Sequence, residues 1–287
     1  MLLRRQLLGS LLLLPGFLFV GCRQEPQLPI GKLMIGVVSY DTGVRSLEKY
    51  EGLKEYLAQQ THAVVELEPA FNELKAVEQV ERGVWSIVFA PPGLAAIAMS
   101  KKQYIPIFPM QGVQNVRSLL VVRQESPSQS LADLSDKVVA LGQPGSAAGY
   151  YLPLYDLYGL TLAEVRFAPT PKTVLEWLSQ GTVDAVALSE DQFQRYRREF
   201  KQGNFRILHK TRFAPPGVVL LNRTLDSDQQ QQIITAMKEA PSRIAGDAGY
   251  IPNAKVPNYE QFILFVEKVR PLEARVRQKP AFLTLME

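Results

Sequence analysis

Short runs of β-type residues alternate with helix-type stretches from Lys32 onward, and this alternation limits which folds the chain can adopt. KLMIGVV is followed by RSLEKYEGLKEYLAQQ, whose apolar residues recur at helical spacing: Leu47, Tyr50, Leu53, Tyr56 and Leu57. HAVVELEP, FNELKAVEQVERG and VWSIVFAP continue the series as strand, helix and strand. Because a β-α-β-α-β series is typical of a mostly parallel sheet flanked by helices, we predict an α/β fold.

A second alternating unit follows VRSLLVVRQ. It contains the strand-like runs KVVALG, LAEVRFAP, VDAVAL and FRILHK, after which PPGVVLLNRTL returns as a strand. The 287 residues are enough for two cores, so we predict two lobes, each a mostly parallel sheet flanked by helices. Lobe I is predicted to comprise residues 32–120 plus 215–287, and the inserted lobe II residues 121–214. The cleft between them, at the carboxyl ends of strands, is the expected ligand site.

The first 22 residues have the features of an export signal. MLLRRQLLGSLLLLPGFLFVGC combines a basic start with an apolar run that is too short and too broken for a typical membrane span. FVGC resembles a bacterial lipobox, which implies lipidation of Cys22 and a tether over residues 23–31. An uncleaved anchor with an incidental cysteine is the alternative, and both Sec and twin-arginine export stay open. We expect an exported protein with a lipid anchor in the cell membrane, facing the periplasm or the outside.

The composition excludes several function classes. Loss of Arg4 and Arg5 with the signal would leave 30 basic against 28 acidic residues, a net charge of +2 without the dense basic stripe typical of nucleic-acid binders. Two histidines and one cysteine offer almost nothing for a zinc site or a Cys–His nucleophile. The sequence also lacks the hydrolase motif G-x-S-x-G and a P-loop. We predict a monomer that is not an enzyme and needs no metal or cofactor.

The stretch GQPGSAAGYYLP leaves the strand KVVALG through a glycine-rich turn and enters a predicted helix at Ser146. The first backbone N–H groups of a helix have no intrahelical acceptor and can hold an anion. Gly and Ser are also common at helix starts that bind nothing. The pattern alone leaves both interpretations open.

Four stretches together carry a family resemblance: IGVVSYDTG, ERGVWSIVFAPPGLAAIA, LSDKVVALGQPGSAAGYYLP and LSQGTVDAVAL. In their order and spacing the chain resembles the phosphonate/phosphite/phosphate-binding proteins of ABC importers, which have the type II periplasmic-binding-protein fold. The resemblance covers nearly all of the chain after the signal. It implies a solute-binding lipoprotein whose lobes close by a hinge on a small oxyanion, which is then delivered to an ABC permease.

The resemblance also implies an oxyanion-binding turn. Ser146 and Gly149 match a Ser-Thr-Ser-Gly turn that grips phosphonate oxygens, whereas Ala147 and Ala148 replace two of its hydroxyls. Each lost hydrogen bond to a charged ligand is worth about 1.5–3 kcal/mol, so a less charged or larger ligand stays open. An accessory or sensory lipoprotein on the same scaffold, with a different or lost ligand, is the alternative function.

Five other positions are assigned to the ligand site through the same resemblance. Tyr40, followed by Asp41, matches an aromatic residue of the first loop, and Pro91 and Gly93 belong to a turn that presents Ser and Tyr in the family. Asp184 matches an acidic residue that can receive a ligand amine. Structural roles stay open, because Tyr40 and Asp41 also suit a plain turn and Asp184 a cap or strand end.

Overall fold

The computed structural model describes residues 31–40, 45–112, 116–200 and 204–284. The signal peptide, Cys22, the tether up to residue 30 and Asp41 lie outside the described residues. Within the described part of the chain, none of the helices is both long enough and apolar enough for a membrane crossing.

Strands and helices alternate as the sequence predicts. The strands are β1 (Lys32–Val38), β2 (Val64–Ala70), β3 (Ile87–Ala90), β4 (Tyr104–Pro109), β5 (Val116–Arg123), β6 (Val138–Leu141), β7 (Thr161–Leu162), β8 (Glu164–Phe167), β9 (Ala185–Ser189), β10 (Phe205–Ala214), β11 (Val218–Asn222) and β12 (Ala281–Phe282). The α-helices are α1 (Arg45–Thr61), α2 (Glu73–Glu81), α3 (Pro92–Ser100), α4 (Leu152–Asp156), α5 (Pro171–Ser179), α6 (Glu190–Tyr196), α7 (Ser227–Glu239), α8 (Ser242–Ala248) and α9 (Glu260–Val269).

The first sheet has the strand order β2-β1-β3-β11-β4. β1 runs parallel to β2 and β3, whereas β11 is antiparallel to β3 and β4. Tyr50, Leu53 and Leu57 of α1 are buried against this sheet, as their helical spacing predicts. Full burial of each such leucine contributes roughly 1.5–3 kcal/mol to folding. We call this sheet with α1, α2, α3, α7 and α8 the first half.

The second sheet has the order β10-β5-β9-β6-β8. β6 runs parallel to β8 and β9, whereas β5 is antiparallel to β9 and β10. Val174 and Leu178 of α5 and Phe193 of α6 are buried together in a core cluster with residues of this sheet. We call this sheet with α4, α5 and α6 the second half.

Both sheets contain one antiparallel strand within the predicted mostly parallel arrangement. β11 in the first sheet and β5 in the second run antiparallel to both of their neighbours, whereas the other four strands of each sheet share one direction. All of β5 from Val116 pairs within the second sheet, so that sheet begins earlier than residue 121. The alternation in the sequence reveals the strands, but it does not reveal the direction in which a returning strand pairs.

A glycine in β1 permits close packing in the centre of the first half. A Cβ atom placed on Gly36 would lie 1.9 Å from the ring of Trp85, which is fully buried. The indole N–H of Trp85 donates to Glu68 Oε2 at 3.0 Å, so the buried ring keeps a polar partner. Gly36 is therefore required here for the space that it leaves, since any side chain would displace the indole.

The C-terminal segment from Tyr259 to Leu283 contacts both halves. α9 packs on α3 of the first half, and the Phe265 ring lies 5.2 Å from the Tyr155 ring of α4 in the second half. β12 pairs with β7, which holds the end of the segment to the second half. The C-terminal segment thus joins the two halves in addition to the two chain connections that an inserted lobe II requires.

The helix predicted over residues 146–159 is shorter and less regular than expected. Ala147–Tyr151 form a single π-helical turn, in which Tyr151 N–H donates to the Ser146 carbonyl at 3.1 Å, and α4 follows. Pro153 lies in the first turn of α4, where its missing N–H costs no intrahelical hydrogen bond. The wide turn at the start is a local departure of a kind that is frequent at functional sites.

Candidate functional site

A cavity of about 440 Å³ lies between the two halves. Its lining comes from the chain just after the carboxyl ends of β1, β2, β3, β6 and β9, and from the start of the antiparallel strand β5. The lining residues are Tyr40, Glu73, Pro91, Pro92, Val116, Arg117, Ser146, Ala147, Ala148, Ser189, Glu190, Asp191, Gln192 and Gln194. This is the sheet edge at which open α/β folds bind their ligands.

Ser146 caps the π-helical turn at the floor of this cavity. Its hydroxyl oxygen accepts a hydrogen bond from Gly149 N–H at 3.0 Å, as a typical N-cap residue does. The N–H groups of Ala147 and Ala148 have no acceptor among the described residues, although both residues are at most 5% exposed. Unpaired buried N–H groups are rare, so these two are available for a bound acceptor.

The glycine-rich turn before Ser146 is also a packing contact between the halves. A Cβ on Gly93 would lie 2.3 Å from the Gly145 carbonyl oxygen and 2.6 Å from Ala147 N. Gly145 has φ +105°, and a Cβ there would lie 2.8 Å from Val77 Cγ2 of α2. Both glycines therefore let backbone of the first half approach backbone of the second, and the turn is more than a simple strand end.

The sequence interpretation missed Glu73, the first residue of α2. Its side chain is buried, and the Tyr40 hydroxyl donates to Glu73 Oε1 at 2.5 Å. Burial raises the pKa of Glu73, and the Tyr40 hydroxyl and the Ser146 hydroxyl of the other half oppose that increase. The only sequence signal is the Asn72–Glu73 pair after β2, which is equally typical of an ordinary helix start.

Tyr40 lies where the two halves meet. Gln192 of α6 in the second half lowers the pKa of the Tyr40 hydroxyl, but this effect is smaller than those that raise it. Burial, followed by the nearby Glu73 carboxylate, raises the pKa of Tyr40 well above its ordinary value, so the phenol keeps its proton and donates it to Glu73. Gln192 is in turn held by the capping box that it forms with Ser189 at the start of α6.

Arg117 and Glu190 form an ion pair on the second half. Arg117 Nε donates to Glu190 Oε2 at 2.6 Å and Arg117 Nη2 to Oε1 at 2.9 Å, a bidentate geometry. The pairing with Arg117 lowers the pKa of Glu190. Arg117 lies in the strand-like stretch VRSLLVVRQ, and no pattern in the sequence predicts its place in the cavity. An antiparallel strand places its start at the edge where its parallel neighbours end, and that pairing direction was not predicted.

The predicted site residues that the structure describes fall into three groups: those that line the cavity, those at its edge, and Asp184, which lies apart from it. Tyr40, Pro91, Ser146, Ala147 and Ala148 line the cavity together. Gly93 and Gly149 lie at its edge as packing residues: Gly93 contacts the turn described above, and the Gly149 carbonyl accepts from Gly142 N–H at 2.8 Å.

Asp184 lies apart from the cavity and corrects one prediction. It precedes β9, whereas the cavity lies beyond the carboxyl end of that strand. Its carboxylate accepts from Val138 N–H at 2.9 Å and its own N–H donates to the Val138 carbonyl. The position therefore fits the alternative role as a strand-end residue. The described residues also contain no group of three or more His, Cys, Asp or Glu positioned to hold a metal ion.

Comparison with known proteins identifies the family. A family model described as "ABC transporter, phosphonate, periplasmic substrate-binding protein" matches residues 35–249. The chain belongs to this family. It is therefore a periplasmic substrate-binding protein of an ABC transporter of the phosphonate-binding family, and not an enzyme. No curated protein sequence matches the chain.

Solved structures of similar proteins confirm the fold class of this phosphonate-family binding protein. XAC2383 from Xanthomonas citri, bound to chloride ion, has a TM-score of 0.70 and 20% identity, over 84% of this chain and 99% of that one. A binding protein component of an ABC phosphonate transporter from Pseudomonas aeruginosa has a TM-score of 0.65 and 16% identity, over 86% and 87% of the chains. PhnD1 from Prochlorococcus marinus, in complex with methylphosphonate, has a TM-score of 0.65 and 16% identity, over 86% and 99%.

Proposed function

We propose that this family member captures one small solute in the cavity between its two halves, with a phosphonate-, phosphite- or phosphate-like oxyanion as the favoured class. The observation that supports this most is the pair of unpaired N–H groups of Ala147 and Ala148 at the cavity floor. Backbone N–H groups at a helix start, together with the positive end of the helix dipole, stabilise an anion without a cationic side chain. Rotation of the halves would admit the solute and enclose it.

A thermal-shift screen tests the solute class. The panel contains phosphate, phosphite, alkylphosphonates, sulfonates and small zwitterions. A ligand present at about 100 times its Kd adds about 2.7 kcal/mol of stability, which corresponds to an increase in Tm of roughly 5–10 °C for a protein of this size. A response to oxyanions is expected, and no response to any panel member would contradict binding in this cavity.

Restoring one hydroxyl tests the position of the anion. Ala148→Ser adds a donor beside the proposed oxyanion, and one hydrogen bond to a charged ligand is worth about 1.5–3 kcal/mol, or roughly 10- to 150-fold in affinity. Ala58→Ser on α1 is the matched control, because it makes the same change away from the cavity. Equal affinity of both variants for the oxyanion that responds in the screen would place the anion elsewhere.

We propose further that Cys22 carries a lipid that anchors the protein to the membrane. The basic start, the apolar run and the FVGC sequence support this. In bacteria expressing the chain and fed a labelled fatty acid, the wild-type protein should carry label in the membrane fraction and Cys22→Ala should carry none. Label retained by Cys22→Ala would refute the anchor without affecting the solute site.

A further inference from the structure

The tyrosine hydroxyl that could donate to an oxyanion in this cavity is already used by the protein. The Tyr40 hydroxyl donates to Glu73 Oε1. A hydroxyl has a single proton to donate, so Tyr40 cannot donate to a ligand while Glu73 holds it. The Ser146 oxygen accepts from Gly149 N–H, and the Ser146 hydroxyl also lowers the pKa of the Glu73 carboxyl. The Glu73 carboxylate thus occupies the place that a ligand oxyanion would take at Tyr40.

The charges around the cavity also disfavour a doubly charged oxyanion. Three carboxylates line it, those of Glu73, Glu190 and Asp191, against the single cationic side chain of Arg117 among the described lining residues. Arg117 is engaged by Glu190 in the bidentate pair. A doubly charged oxyanion at Ala148 would therefore lie near three carboxyl groups, with the one lining cation already paired to Glu190. Like charges in a poorly hydrated site repel strongly.

A carboxylate still offers hydrogen-bond acceptors to a ligand that brings a donor. Its two oxygens have about four acceptor positions, and the Tyr40 hydroxyl fills one of them. A ligand hydroxyl or ammonium group placed next to the oxyanion could use a remaining position. Glu73 would then stabilise that ligand and oppose one that has only acceptors.

We propose that Glu73 is the specificity-determining residue of this site: its carboxylate holds the Tyr40 hydroxyl, disfavours oxyanions that carry only acceptors, and selects oxyanions with a hydrogen-bond donor beside the anionic group. This inference rests on the proposed function of the cavity. It narrows the ligand class from oxyanions in general to hydroxylated or amino-substituted ones.

The test compares two probes of equal charge, methylphosphonate and hydroxymethylphosphonate, by isothermal titration calorimetry. The wild-type protein should bind hydroxymethylphosphonate at least about tenfold more tightly. Glu73→Gln removes the charge and adds a donor with little change of shape, so it should bind methylphosphonate at least about tenfold more tightly than the wild type and lose most of the discrimination. Glu78→Gln, on the exposed side of the same helix, is the control for removal of one charge and should behave like the wild type.

A second variant separates a held hydroxyl from one that binds ligand. Because Glu73 holds the Tyr40 hydroxyl and keeps other acceptor positions for a ligand donor, Tyr40→Phe should retain the preference for hydroxymethylphosphonate over methylphosphonate. Loss of that preference in Tyr40→Phe would overturn the proposal, as would equal discrimination by wild type and Glu73→Gln. Either result leaves solute binding in the cavity intact. Failure of both probes to bind any of these proteins would overturn the proposed oxyanion site and this inference together.

Discussion

Replacement of Gly93 by alanine should weaken ligand binding by forcing the two halves apart. The new Cβ would lie 2.3 Å from the Gly145 carbonyl oxygen and 2.6 Å from Ala147 N, which are backbone atoms that cannot rotate away. Overpacking of this kind typically costs about 1–3 kcal/mol. Because the contact joins α3 to the turn of the second half, a small rotation of the halves relieves it. The overpacking then destabilises the closed, ligand-bound form and not the open one, so the affinity for the ligand should drop roughly 5- to 140-fold.

Calorimetry with the oxyanion identified in the screen measures this loss, and small-angle X-ray scattering measures the accompanying increase in radius of gyration. Gly52→Ala on α1 is the matched control, because a Cβ there meets nothing within 4 Å. That control should bind normally and gain about 0.5–1 kcal/mol of stability from helix propensity. Unchanged affinity and an unchanged radius of gyration in Gly93→Ala would refute the reasoning that this contact belongs to the closed form.

Three further predictions concern stability. Burial raises the pKa of Glu73 above its ordinary 4.5, so the stability contributed by the protonated form is full below that value and is lost as the pH rises through the raised value. Urea unfolding should therefore show the free energy of unfolding of the wild type falling relative to that of Glu73→Gln as the pH rises above 4.5, and a constant difference would contradict the shift. Asp184→Ala should lose about 1 kcal/mol with its hydrogen bond to Val138, measured by urea unfolding, while calorimetry shows unchanged ligand affinity. Gly36→Ala should lower the free energy of unfolding by about 3 kcal/mol because its Cβ would overlap the Trp85 ring, and a near-normal Tm would refute that contact.

The sequence predicts the elements and the family of this protein well, for a local reason. Helical and strand periodicity are properties of short windows, so Tyr50, Leu53 and Leu57 could be assigned to a buried helix face without any tertiary information. The order of the motifs then indicated the fold and the family, which the family comparison confirms. Pairing direction is a long-range property, so the local pattern does not predict the one antiparallel strand in each mostly parallel sheet.

The site was predicted only in part, because its charge balance depends on contacts between distant residues. Ser146, Ala147 and Ala148 follow a strand in one continuous stretch, so the sequence could place them together, and all three line the cavity. Glu73 and Arg117 have no such local signal. Each has its partner far away in the chain, Glu73 in Tyr40 and Arg117 in Glu190. Asp184 shows the converse error, since acidity and sequence position suggested a ligand contact that the strand geometry does not provide.

The C-terminal segment constrains how the cavity can open. Its attachment to α3 on one side, and to Tyr155 and β7 on the other, adds a third strap to the two chain crossings. A segment attached to both halves resists their straight separation but allows them to rotate about the side on which it lies. Solute exchange would then require only a modest rotation, and removal of the segment would leave the direction of that rotation unconstrained.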